Sequence, residues 1–292
     1  MRRKPALILP PIMGERMIQA QALAPDKNGT LCVLEGSLSV RAAVNGGRRT
    51  VYKVYIDQHK KEKRDRKTLA LLSFLRDAGV QTELAPRSAI EELVQTYAGA
   101  NAGTTHGGVI ALASERQYED VCALLSGAAP GDYFVYLDGV EDPFNFGYSV
   151  RSLYAMGCKG ILLPARNWSG AAGIAARASA GASELAALAV APEDDRQTVE
   201  LCRRYGIEIV CSALGQRSVP LHDFTPHSPF LLFIGGEKRG ISPVFLEAAK
   251  QIVHIPYVRE AAKYSLPTAS VCAIYANALA PYVRMALSKE KA

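Results

Sequence analysis

Three segments of the 292-residue sequence bring together residue types that can hold an anion, a nucleotide or a cofactor. The first is Asp138-Gly-Val-Glu-Asp-Pro-Phe-Asn-Phe-Gly-Tyr-Ser-Val-Arg151. It follows an apolar run, and Pro143 suits the first turn of a helix. Asn145 and Gly147 then fall at the helix start, with Arg151 about one and a half turns further in. A helix start with an amide and a guanidinium close by can hold a phosphate or a developing oxyanion. Without a ligand, the same residues are an Asp cap, a turn glycine and a surface arginine.

The second segment is Phe230-Leu-Leu-Phe-Ile-Gly-Gly-Glu-Lys-Arg-Gly240-Ile-Ser. An apolar strand runs into Gly235-Gly236-Glu237, and a helix follows with Ser242 as N-cap and Pro243 at its first position. Glycine lets a ligand approach the backbone, and Glu237 can accept from ribose hydroxyls or pair with an arginine. The pattern is not G-x-G-x-x-G, which speaks against an ordinary dinucleotide site. The plain alternative is a tight strand-to-helix turn. The third segment is Ile255-Pro-Tyr, then Tyr264-Ser-Leu-Pro267 and an Ala-rich helix. Its small residues (Ala269, Ser270, Ala273, Ala276) suit a helix buried against a sheet or a second subunit.

These segments need elements to position them, and the hydrophobic pattern supplies an alternation of short apolar strands and amphipathic helices. Strands are predicted at Val51–Asp57, Val80–Leu84 and Gly107–Ala113. Helices are predicted at Asp65–Ala78, with Leu69, Leu72 and Leu75 on its buried face, at Ser88–Tyr97, with Ser88 and Glu91 spaced as a capping box, and at Glu115–Leu125. Ser126-Gly-Ala-Ala-Pro-Gly131 breaks the pattern. This sets a first domain at 1–127, after a short N-terminal extension, and a second at 131–292. In the second, strands are predicted at Tyr133–Leu137, Gly160–Leu163, Leu188–Val190, Ile207–Cys211, Phe230–Ile234 and Ile252–Ile255. Helices are predicted at Phe144–Met156, Ala171–Ala180, Asp195–Tyr205, Pro243–Lys250 and Pro267–Leu287. The fold class is therefore α/β, a parallel sheet covered on both faces. Ligands in such sheets sit beyond the carboxyl ends of the strands.

Hydrophobic residues make up 49% and charged residues 21% of the chain, the balance of a globular protein rather than a disordered one. The net charge of +6 suits a polyanionic partner. Residues 1–130 hold 18 basic and 13 acidic side chains, so most of the excess lies at the front. The run Gln58–Lys67 carries six basic and two acidic residues. Lys60, Lys61, Lys63, Arg64 and Arg66 in it are candidates to grip RNA phosphates, or else a solvated loop and helix start. His106 faces a substrate or serves the structure. Trp168 stacks a base or packs.

The six cysteines form no C-x-x-C pair and no Cys/His cluster, so no metal site is expected. The apolar stretch Ala6–Leu9 is too short for a signal peptide, and the thiols read as reduced in a cytoplasmic protein. The uncharged run Tyr264–Val283 contains two prolines and polar residues, and reads as a buried helix rather than a membrane span.

In their order and spacing, the three segments resemble the sequence motifs of the SpoU/TrmH group of SPOUT RNA ribose methyltransferases. Asn145, Gly147 and Arg151 match the first motif. Gly235, Glu237 and Gly240 match the second. Ile255, Pro256, Ser265 and Leu266 match the third. Arg177-Ala-Ser-Ala-Gly-Ala182 looks like a further family segment. Leu34-Glu-Gly36 with Val40, and His106-Gly-Gly-Val109, look like the family's small α/β substrate-binding domain.

The resemblance implies a C-terminal SPOUT α/β domain with a deep trefoil knot, a homodimer with the final helix at its interface, and an active site drawn from both subunits. It implies S-adenosylmethionine bound by Gly235, Gly236, Gly240, Ile255, Leu266 and backbone near Leu214. It implies catalytic roles for Arg151, Asn145, Glu237 and Ser265 in methylating a ribose 2′-hydroxyl, in ribosomal rather than transfer RNA. A guanidinium as general base sits badly with its permanent proton; stabilising charge on the attacking oxygen is the other role open to Arg151. One residue departs from the family: Pro267 stands where Ser-Leu-Asn is usual, and it has neither a side-chain amide nor a backbone N–H. The alternative is therefore a relative that binds RNA without methylating it.

Overall fold

The protein is represented by a computed structural model that describes residues 31–98, 106–165, 171–226, 228–236, 239–259 and 265–289. Glu237, Trp168, His227, Tyr264 and the N-terminal extension lie outside the described residues.

The chain begins with β1 (Cys32–Glu35), α1 (Ser37–Gly46), β2 (Val51–Asp57), α2 (Gln58–Glu62), α3 (Arg66–Asp77), β3 (Thr82–Ala85), α4 (Arg87–Ala98) and β4 (Val109–Ala113). It continues through α5 (Val121–Ser126), β5 (Tyr133–Asp138), α6 (Pro143–Ala155), β6 (Gly160–Leu163), α7 (Ala172–Ala178), α8 (Ala182–Leu185) and β7 (Leu188–Val190). It ends with α9 (Asp195–Arg204), β8 (Glu208–Ser212), β9 (Ser218–Pro220), β10 (Phe230–Gly235), α10 (Pro243–Ala248), β11 (Gln251–His254) and α11 (Thr268–Lys289). Among the described residues, no helix is long and apolar enough to cross a membrane.

The described residues form two compact units. Those within 31–117 and 171–185 make the first, and those within 118–165 and 186–289 the second. This corrects the boundary expected at 127–131. Glu119 bridges to Ala189, Leu125 joins the apolar cluster of the second unit, and Leu124 packs on Gly160. The helix predicted at Glu115–Leu125 is confined to α5, capped by the Asp120 carboxylate, which accepts the Ala123 N–H at 2.7 Å. The segment with α7 and α8, inserted between β6 and β7, joins the first unit. Ala172 and Ala176 belong to its core, and a side chain at Gly173 would strike the backbone of β1.

The first unit is built on a four-stranded sheet, ordered β1-β4-β2-β3. Only β2 and β3 pair in parallel; β4 runs antiparallel to both β1 and β2, where a parallel sheet was expected. Helix α3 turns Leu71, Leu75 and Thr68 inward and leaves Leu69 41% exposed, so its buried face is rotated from the expected one. The predicted capping box of α4 is not made; Glu91 instead accepts from Arg87 Nε at 3.0 Å.

The second unit is a seven-stranded parallel sheet, ordered β7-β6-β5-β10-β8-β11-β9. Its central strands are apolar on both faces, as a doubly covered parallel sheet requires. Phe245, from the short helix α10, stacks on Phe233 at 4.1 Å and tilts against Tyr136 at 5.2 Å. Phe245→Ala should cost about 3–5 kcal/mol, seen as a lower denaturant midpoint. An unchanged midpoint would contradict this packing.

His106 in the first unit is 1% exposed, and its Nδ1 accepts the Gly108 N–H at 3.0 Å. Burial holds the ring's pKa below the ordinary imidazole value of 6.5. The unfolded chain therefore takes up a proton that the folded chain resists. Stability should fall as pH drops from 6.5 towards the depressed value. Urea midpoints measured between pH 7.5 and 5 should show this slope, and His106→Gln should flatten it.

Candidate cofactor cleft

The cleft lies at the carboxyl ends of β8, β10 and β11, where a parallel sheet exposes its ligand-binding edge. It encloses about 890 Å³. Its lining includes Leu214 after β8, Gly235 at the end of β10, Gly236, Gly240 and Ile241 after it, and Ile255, Pro256, Tyr257 and Arg259 after β11. Ser265, Leu266 and Thr268 close it at the start of α11. All six residues expected to hold a cofactor thus converge on one cavity, and Ser265, expected to be catalytic, lines it too. Leu214 is 84% exposed, so its side chain is available on the rim.

The glycines after β10 answer to packing. The Gly236 N–H donates to the Asp138 carbonyl at 2.5 Å. A Cβ on Gly236 would collide with the Gly139 carbonyl, and one on Gly235 would come within 2.5 Å of the Gly240 backbone. Gly240 adopts φ +68° and donates its N–H back to the Gly236 carbonyl at 3.1 Å, closing the turn. At Gly235 and Gly236 the missing side chain leaves room for neighbouring backbone, and all three glycines line the cleft.

Asp138 was missed as a positioning residue. Its Oδ2 accepts the Ser242 N–H at 3.1 Å, so it ties the end of β5 to the start of α10. Burial is the main cause that raises its carboxyl pKa, with the Ser242 bond opposing. The signal in the sequence is an Asp at a strand end, which by itself reads only as part of the first motif. His254 was also passed over. It lines the cleft, and its buried Nδ1 has no hydrogen-bond partner among the described residues.

Around Pro267, the chain compensates for the missing donor. The Leu266 N–H donates to the Tyr257 hydroxyl at 3.2 Å. The Pro267 carbonyl accepts from Ser270 and Val271, so the proline occupies the cap of α11. Tyr257→Phe should cost about 1 kcal/mol locally and speed exchange of the Leu266 amide roughly fivefold. Unaltered exchange would show that this contact does not order the segment.

Asn145 and Arg151 do not line the cleft. Helix α6 starts as expected, with Pro143 in its first turn and Asp142 Oδ2 accepting the Asn145 N–H at 2.7 Å. Arg151 is exposed, with no ion pair among the described residues. Lys61, Lys63, Arg64 and Arg66 are exposed around α2 and the start of α3, and Lys60 is half-buried. Burial pushes the Cys202, Cys211 and Cys272 thiols up to about 12, which disfavours thiol chemistry at these three.

Residues 132–275 match the family described as the SpoU rRNA Methylase family. That segment is a SpoU-family domain. Among relatives of the chain, the 23S rRNA (guanosine-2′-O-)-methyltransferase RlmB of Yersinia pestis is 27% identical over 212 residues, 71% of this chain and 82% of that protein. RlmB of Photorhabdus laumondii is 26% identical over 244 residues, covering 82% and 95% of the two chains. The SpoU methyltransferase AviRb of Streptomyces viridochromogenes has a similar structure, with a TM-score of 0.69 at 18% identity over 89% of this chain and 92% of that one. An AdoMet-bound rRNA methyltransferase of Sinorhizobium meliloti gives a TM-score of 0.63 at 22% identity, over 88% and 89%.

Proposed function

We propose that this chain is an S-adenosylmethionine-dependent methyltransferase acting on a ribose 2′-hydroxyl of RNA, ribosomal RNA before transfer RNA. The single observation that carries the cofactor reading is the convergence of Leu214, Gly235, Gly236, Gly240, Ile255 and Leu266 on one cleft. Its volume and largely apolar lining suit a nucleoside, and the unpartnered His254 Nδ1 offers a polar contact. The names of the RlmB relatives and of the AdoMet-bound structure support the substrate class and the cofactor. Bound in the cleft, the cofactor supplies a methyl group already activated on a sulfonium.

The chain's own part is then alignment and charge. Arg151 stabilises negative charge on the 2′-oxygen, Asn145 and Glu237 orient the ribose or the arginine, and Ser265 holds the cleft's edge. Arg151 is exposed and does not line the cleft, an arrangement that suits an active site shared between two subunits. Phe144, Tyr148 and Tyr154 on the same helix are also exposed and suit a homodimer surface. A trefoil knot in the second unit and a cytoplasmic location belong to the same reading. The front unit, with its basic α2 region, would bind the RNA.

A second reading, RNA binding without methylation, draws on Pro267, whose carbonyl caps α11 and which brings no side-chain amide. Tritiated S-adenosylmethionine incubated with ribosomal and transfer RNA separates the two. Label should enter ribosomal RNA as 2′-O-methylnucleoside, and Arg151→Ala should lower the rate at least 100-fold. RNA binding without label, restored by Pro267→Asn, would favour the second reading.

A further inference from the structure

The first unit carries a pocket of its own, of about 350 Å³. Its wall is the start of α1, where Gly36, at φ +87°, precedes the helix and no side chain caps it. The first N–H groups of a helix have no acceptor within it, and they carry partial positive charge. Its floor includes His106. That ring accepts the Gly108 N–H at Nδ1, so its proton sits on Nε2. Nε2 is buried and has no partner among the described residues. A buried donor left unmet costs on the order of 1–3 kcal/mol, so an acceptor is called for.

Lys60 and Lys67 stand on the rim, and neither makes an ion pair among the described residues. The two carboxylates in the lining are already engaged. Glu35 Oε2 accepts from Arg177 Nη1 at 2.5 Å. Asp65 Oδ2 accepts from both the N–H and the hydroxyl of Thr68, which hold its pKa below the ordinary value. The lining thus combines a helix start with no side-chain cap, two ammonium groups without an ion pair among the described residues, and a histidine whose buried Nε2 lacks a partner there.

We infer that this pocket binds a phosphate group, with the uncapped start of α1, the Nε2–H of His106 and the ammonium groups of Lys60 and Lys67 as its donors. Two sources share that chemistry, a phosphodiester of an RNA chain and a free nucleoside monophosphate, and the volume admits a nucleoside on the phosphate. The RNA source rests on the function proposed above; the phosphate chemistry does not.

The full-length chain is titrated with a fluorescent 12-nucleotide RNA, with adenosine 5′-monophosphate and orthophosphate as competitors. Binding of S-adenosylmethionine serves as the folding control. The double variant Lys60→Ala/Lys67→Ala should weaken RNA binding at least tenfold and lower the salt slope by about two. His106→Leu should weaken it similarly, and His106→Gln, which keeps a donor, should recover part of the loss. The His106 Nε2–H proton resonance should shift with ligand. Competition by the mononucleotide assigns the site to free phosphates, and its failure assigns the site to the RNA chain; both support the inference. Wild-type affinity for every ligand in all these variants, with cofactor binding intact, would overturn it. Loss of methyl transfer with phosphate binding retained would sink the enzymatic reading alone.

Discussion

The second unit depends on one close approach of backbone to backbone. The turn after β10 leans on the turn after β5 so tightly that the Gly236 N–H reaches the Asp138 carbonyl and no side chain fits between Gly236 and Gly139. Asp138 then uses its carboxylate to hold Ser242 and so fixes where α10 begins. The turn closes on itself through Gly240, and the space beyond it, bounded by the chain after β8 and β11, is the cleft. A methyl group at position 236 would push apart two neighbouring strand ends. The cost would fall on the cavity itself, because the walls are the same backbone.

The sequence made the second unit legible because a doubly covered parallel strand is an uninterrupted apolar run. Tyr133–Leu137, Phe230–Ile234 and Gly160–Leu163 appear within one residue of where they were read. The first unit was harder. Its mixed sheet is set by β4 running antiparallel between β1 and β2, a choice of direction that leaves no mark on composition. The face of α3 was misjudged because Leu69, Leu71, Leu72 and Leu75 satisfy two helical stripes, and only tertiary packing selects Leu71 with Leu75. The stretch 115–119 looked helical by period but is drawn out by strand-like contacts of Gln117 and Glu119.

The candidate site was legible in a similar, partial way. Small or apolar residues such as Gly235, Ile255 and Leu266 are singled out by family resemblance alone, and the fold gathers them around one cavity. Asp138 and His254 escaped because their roles depend on what a strand end meets in space. Tyr257 escaped for the same reason, since its hydroxyl meets Leu266 nine residues later in the chain. Pro267, which as a sequence departure suggested a lost function, acts as a helix cap whose neighbour's N–H is satisfied by that tyrosine.

The most direct test of this account is a crystal structure of the full chain grown with S-adenosylmethionine. The account predicts cofactor density in the cleft after β8, β10 and β11, against Leu214, Gly235, Ile255 and Leu266. Density for the cofactor at any other place on the chain, with that cleft empty, would contradict it.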